Sequence, residues 1–204
     1  MTDSVTNDTP ADVTADIPAP ASSADDAART SEGARFTRTV LWSLDTNGAA
    51  RRALASGLRP WNGEPPAPMH RFVAPWLPEG LHPQRERAYY TVAALMTTAR
   101  VNGIGSKTSL GTALALASRT VSATTTELAL RRVSRYSSAG PYTHLRGVVR
   151  LSEAAGVALD WARLLNELDS WYLRGRHTCT VWLQDYYRIT EAPTKAAFSN
   201  ADSE

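Results

Sequence analysis

Apolar residues recur at helical spacing through most of this chain, and no period-two run is long enough for a strand. In residues 84–101, Ala88, Val92, Leu95 and Ala99 share one face, the pattern of an amphipathic helix. Pro83 ahead of it and Asn102-Gly103 behind it supply start and stop signals. Residues 109–118 (SLGTALALAS) are apolar almost all round, so this short helix is expected to bury both faces. Thr124, with Glu127 three residues on, reads as a capping box for a helix over 124–136. Pro141 suits a first helical turn and opens a helix over 141–155, which Gly156 ends. Asp160 caps the next, where Trp161, Leu164, Leu165, Leu168, Trp171 and Tyr172 form one wide apolar stripe. A last helix over 177–189 turns Val181, Trp182, Tyr186 and Ile189 inward.

The front is less regular. Residues 36–45 and 49–58 read as helices separated by Asn47-Gly48, and then prolines from Pro60 to Pro83 break the chain into loops around one short helix at 69–76. The fold class expected is all-α: a helical bundle over 35–190, built as two small packed bundles, 35–102 and 108–190. Residues 1–34 hold no aromatic residue and are rich in Ala, Ser, Thr, Asp and Pro. They cannot bury enough apolar surface to offset chain entropy, so a disordered leader is expected there, and a second disordered tail at 191–204. The leader has no basic segment followed by an apolar one, so it does not read as a secretory signal. No run of about 18 apolar residues occurs that would make a membrane-spanning helix.

Charge changes this picture. Residues 1–34 carry seven acids against Arg29, a net of −6, whereas residues 35–190 carry 20 Lys+Arg against 10 Asp+Glu, a net of +10. The formal +2 of the whole chain hides a basic body, and such a field attracts polyanions, nucleic acid above all. Nearly all of that charge is arginine, and Lys107 is the body's one lysine. Arg131, Arg132 and Arg135 fall opposite Ala129, Leu130, Val133 and Tyr136 at 100° per residue, with Leu128 alone among them. Arg146 and Arg150 flank the stripe of Leu145, Val148 and Val149 on the next helix. Arg51 and Arg52 make a third cluster, and Arg100, Lys107 and Arg119 bracket the mid-chain loop. Any one cluster could be a solvated helix face, its arginines paired weakly with Glu127, Glu153 or Asp169. Several clusters with few acids between them point to a polyanion.

Chemistry-bearing motifs are missing. Residues 103–108 (GIGSKT) imitate a phosphate loop, but Ser106 stands where glycine is required and a helix, not a strand, precedes it. His70, His82, His144 and His177 are scattered, and His177 with Cys179 lacks further metal-ligand partners. No two acids are spaced for two-metal nuclease chemistry. We therefore expect no enzymatic activity, no metal and no cofactor. Cys179, the sole cysteine, allows no internal disulfide and fits a reducing cytoplasm. The tryptophans sit mostly on apolar stripes; Trp61, in a Pro/Gly-rich loop, is the one that suits a contact residue.

The order TSLGTALALASR, LALRRVSRY, LRGVVRLSEA, LDWARLLNELDSWY resembles the CasB family, the small subunit of the type I-E CRISPR effector complex Cascade. Residues 109–115 and Leu159-Asp160-Trp161 are its most specific marks, with the segment from Asn47 to Arg52 and the helix at 69–76 as weaker ones. The likeness covers about residues 37–189. It implies a non-catalytic, all-helical antiviral-defence subunit in a ribonucleoprotein complex. Its partners would be the backbone and large subunits, a second copy of itself, the guide RNA and the target DNA. The basic faces would hold the displaced non-target strand and stabilise the R-loop, a task of backbone neutralisation while base pairing reads the sequence. On that reading the contacts are Arg131, Arg132, Arg135, Arg146 and Arg150, then Arg51, Arg52, Arg100, Lys107 and Arg119. Two alternatives stand beside it: a helix-turn-helix regulator, for which residues 124–136 lack Asn or Gln to read base edges, and a structural adaptor for acidic proteins.

Overall fold

The computed structural model describes residues 23–61, 63–99, 103, 105–135 and 137–191. Within them are nine α-helices and two 3-10 turns, and no strand. In chain order these are α1 (Ser23–Thr46), α2 (Gly48–Ala55), a turn at Ser56–Leu58, α3 (Ala67–Val73) and a turn at Ala74–Trp76. Then follow α4 (Pro83–Met96), α5 (Leu110–Ala117), α6 (Ala123–Val133), α7 (Tyr142–Ala154), α8 (Trp161–Asp169) and α9 (Trp171–Thr190). The all-α expectation holds.

The caps explain most of the boundaries. Asn47 Oδ1 accepts from the Ala49 and Ala50 amides and starts α2. Ser109 Oγ accepts from the Thr112 amide and starts α5. Asp160 Oδ1 accepts from Ala162 and Arg163 and starts α8, each satisfying amides that have no partner inside the helix. Gly156, at φ +67°, turns the chain out of α7 in the left-handed conformation that only glycine adopts freely.

Several boundaries differ from the sequence reading. Helix α1 opens at Ser23, inside the stretch expected to be disordered, and it packs on α8 through a contact that composition hides. Gly33 is buried against α8, where an added Cβ would lie 2.7 Å from Asn166 Oδ1. Helix α4 stops at Met96: the Thr97 and Thr98 hydroxyls donate to the Ala94 and Leu95 carbonyls and close the last turn. Arg100 and the stop signal at Asn102 lie outside the described residues. Helix α6 is capped by Ser122, whose Oγ accepts from the Thr125 amide, and not by Thr124. Tyr136, at that helix's expected end, is also outside the described residues. The stripe at 160–172 is cut at Ser170, whose hydroxyl donates to the Asn166 carbonyl, so Trp171 begins α9 six residues ahead of His177. Tyr172 thereby leaves the stripe: it is 37% exposed and stacks on His82 at 4.7 Å.

One apolar core runs from α1 to α9. Helix α8 belongs to the second half of the chain, yet it packs on α1 and α4, while α9 packs on α5. Trp161, Trp171 and Trp182 are buried at its centre, with the rings of Trp171 and Trp182 5.6 Å apart. Helices α5 and α9 meet at Gly111, where a Cβ would sit 1.9 Å from the Trp182 carbonyl oxygen, so no larger residue fits that crossing. Trp42 departs from the stripe expectation at 67% exposed.

Candidate nucleic-acid interface

The mid-chain loop is knotted to α8 and α9 by side-chain charge. The Lys107 amide donates to Asp160 Oδ2 at 2.9 Å, and its carbonyl accepts from Arg163 Nη1 at 2.7 Å. Arg163 also donates to Glu167 Oε1 and Asp185 Oδ2, while Ser109 Oγ donates to Asp185 Oδ2 at 2.6 Å and Trp182 Nε1 to Glu167 Oε2 at 2.7 Å. Burial pushes the Glu167 carboxyl above its usual range, against the pull of Arg163 and Trp182. Lys107 and Ser109 are thus part of a structural clamp. The Lys107 side chain stays exposed on the rim of a cleft of about 630 Å³ that mixes Arg38 and Arg163 with Asp160 and Glu167.

The arginines fall into two groups. Some are bound into the fold. Arg51 donates to the Leu44 and Thr97 carbonyls, holding the ends of α1 and α4 together. Arg85, which the sequence reading passed over, forms a two-pronged pair with Asp169 at 2.8 and 3.0 Å. Arg131 Nη2 lies 2.7 Å from Glu127 Oε1 and donates to the Tyr187 hydroxyl, which donates in turn to Glu127. The Tyr187 hydrogen bond, with Arg131 beside it, holds Glu127 below the usual carboxylate range. The expected capping-box acid is therefore an α6–α9 tie.

The other group is exposed. Arg132 and Arg135 part from Arg131 and line a cleft of about 500 Å³ between α6, α7 and α4, together with Arg87 and His144. A second cleft, of about 300 Å³, lies between the turn after α2, α4 and α7 and is edged by Arg59, Arg87 and Arg146. Arg146 Nη1 donates to the Leu58 carbonyl across it at 3.3 Å. The clefts share Arg87, Tyr142 and Thr143, and among the described residues neither is lined by Asp or Glu. Arg52, Arg119 and Arg150 are exposed on α2, after α5 and on α7, with no ion pair among the described residues. Leu128, 48% exposed, borders an apolar groove between α6 and α7.

In these two clefts, Arg87 and Arg59 are the cations the sequence reading missed. Arg87 sits 5.3 Å over the Trp61 ring and 4.6 Å over the Tyr142 ring. Those rings are 26 residues before it and 55 after it, so no local pattern links the three. Trp61, singled out from its loop, is half-buried and donates Nε1 to the Gly57 carbonyl. Among the described residues no three His, Cys, Asp or Glu side chains gather to hold a metal ion, and no helix is long and apolar enough to cross a membrane.

A sequence model of the CRISPR-associated protein Cse2 matches residues 49–187, from α2 to near the end of α9. The chain belongs to the Cse2 family. No curated protein matches it. Among solved structures, the Cse2 fold of this chain is similar to a chain of a CRISPR RNA-guided surveillance complex. That match has 30% identity, covers 83% of this chain and 99% of that one, and has a TM-score of 0.67. It is also similar to CasB from Thermus thermophilus, at 27% identity over 76% of this chain and 97% of that one, with a TM-score of 0.62. CasB from M. ruber, at 19% identity, shares the fold with a TM-score of 0.65 over 81% of this chain and 97% of that one. The matched span includes both arginine-lined clefts and the Arg163 clamp.

Proposed function

We propose that this Cse2-family chain is a non-catalytic subunit of a type I-E CRISPR surveillance complex, acting in the cytoplasm in antiviral defence. It assembles with the backbone and large subunits and a second copy of itself, on a guide RNA. Its task is to hold the displaced strand of the target while the guide pairs with the other. The observation that carries this reading is the pair of adjoining clefts lined by arginines, with no acid among their described lining residues, in a chain that matches nearly the full length of a surveillance-complex chain. Phosphate contact needs donors that are free of internal acids, and Arg132, Arg135, Arg146 and Arg150 answer that need best. Arg52, Lys107 and Arg119 extend the surface, and Arg100 belongs with them in sequence. Arg51 and Arg131 carry structural bonds and contribute charge at the margin. A helix-turn-helix reading finds no support, because α5, its first helix, lies buried against α9.

The test is reconstitution. Co-expressed with the other subunits and a guide RNA, the chain should co-purify as a ribonucleoprotein. On a matched target duplex it should photo-crosslink to the displaced strand from Arg132 and Arg150 positions. Assembly with no crosslink to either DNA strand would instead mark it as a protein adaptor. Nuclease or nucleotide hydrolysis that tracks with a point change in this chain would overturn the non-catalytic reading.

A further inference from the structure

The smaller cleft has features that phosphate neutralisation does not need. Its wall holds Trp61, Leu58, Leu95 and Tyr142, so it is aromatic and apolar rather than merely basic. Its volume of about 300 Å³ lies at the small end of ligand pockets, which run from about 300 to 1,000 Å³. The Arg87 guanidinium is held against both rings, and its Nε is shielded from water with no acceptor among the described residues. Rings and guanidinium planes are the surfaces on which unpaired bases stack. A base inside a duplex has both faces covered and could not enter. The adjoining cleft, which shares Arg87 and Tyr142, presents Arg132 and Arg135 for the phosphate next to that base.

We infer that the cleft between the turn after α2, α4 and α7 takes one unpaired nucleobase, with the flanking phosphate in the cleft of Arg132 and Arg135. The inference rests on the nucleic-acid reading above and adds a base contact to it. The surface thereby distinguishes single strands from other polyanions: a phosphate chain without bases fills only half of the paired site. Because stacking tolerates every base, no sequence preference is expected.

The full-length chain should be titrated, at low and moderate salt, with an oligothymidylate and with an abasic oligomer of equal length and charge. The chain should bind the thymidylate tighter by about fivefold or more, the low end of what one base–aromatic stack is worth. Trp61→Ala removes a ring, and Thr91→Leu fills the cleft from α4 without touching the turn, so it remains informative if loss of Trp61 loosens that turn. Each variant should bind both oligomers alike, with the salt dependence of the wild type. Equal wild-type binding of both oligomers, with a steep salt slope, would overturn the base site and leave the electrostatic reading standing. Base preference surviving in both variants would place the stacking elsewhere and also overturn it. No binding of either oligomer at low salt would sink the nucleic-acid reading, and this inference with it.

Discussion

The clamp around Arg163 and the flank around Arg132 use the same residue type for opposite ends. Arg163 faces Glu167 and Asp185 and the Lys107 carbonyl, so its donors are spent inside the chain. Arg132 and Arg135 line a cleft with no acid among its described residues, so theirs remain on offer. A guanidinium costs free energy to desolvate, and where the fold covers it the acid is supplied alongside. Where no acid is supplied, the charge stays in water and adds to the field felt by a polyanion. Counting arginines in the sequence cannot separate these roles; their partners do.

That contrast can be broken in order of effect. Trp161→Ala, at the heart of the inner region, should cost about 3–5 kcal/mol of stability through lost burial and an unfilled cavity, read by urea denaturation. Little loss there would mean the core is not built around α8. Gly111→Ala should rank next among core changes, because α5 must retreat from the Trp182 carbonyl, and a clear fall in Tm is expected. Arg85→Met strips Asp169 of its two-pronged partner at a site where the acid is 8% exposed. A loss of about 2 kcal/mol is expected, relieved when Asp169→Asn is added. On the outer flank, Arg132, Arg135 and Arg150 changed together to Ala should leave stability within about 0.5 kcal/mol of wild type; a larger loss would put them in the inner class.

The smallest effect belongs to Glu127. Its pKa is depressed in the folded state, by Tyr187 first and Arg131 after. Its contribution is therefore fully present above the ordinary carboxylate range and lost as pH falls through the folded value. Glu127→Gln should leave Tm nearly unchanged at low pH and lower it slightly at neutral pH. An effect larger at low pH than at neutral would contradict the tie to Tyr187 and Arg131.

Helix existence and the cap at Asp160 were legible because they are local: Asp160 sits next to the amides it binds. The buried stripe of Trp161, Leu164, Leu165, Leu168 and Trp171 was legible from spacing. The packing of α1 on α8 was not, since it turns on a glycine whose value lies in the Asn166 side chain it lets approach. Nor was the break at Ser170, because apolar spacing continues across it. The arginine clusters were visible as charge, but Arg131 parts from Arg132 only once α9 brings Tyr187 to α6. Arg87 gains its place from rings supplied by two distant segments. Long-range partners, not periodicity, decide which cation is free.

The most direct measurement is target-duplex binding by the reconstituted complex across a salt series, with and without the Arg132, Arg135 and Arg150 triple change to Ala. Each lost single-strand phosphate contact should flatten the log–log salt slope by about 0.7. The account predicts weaker binding on every target alike, a slope shallower by roughly two, and unchanged assembly. Wild-type affinity and slope in the triple variant, or a loss confined to one target sequence, would contradict it.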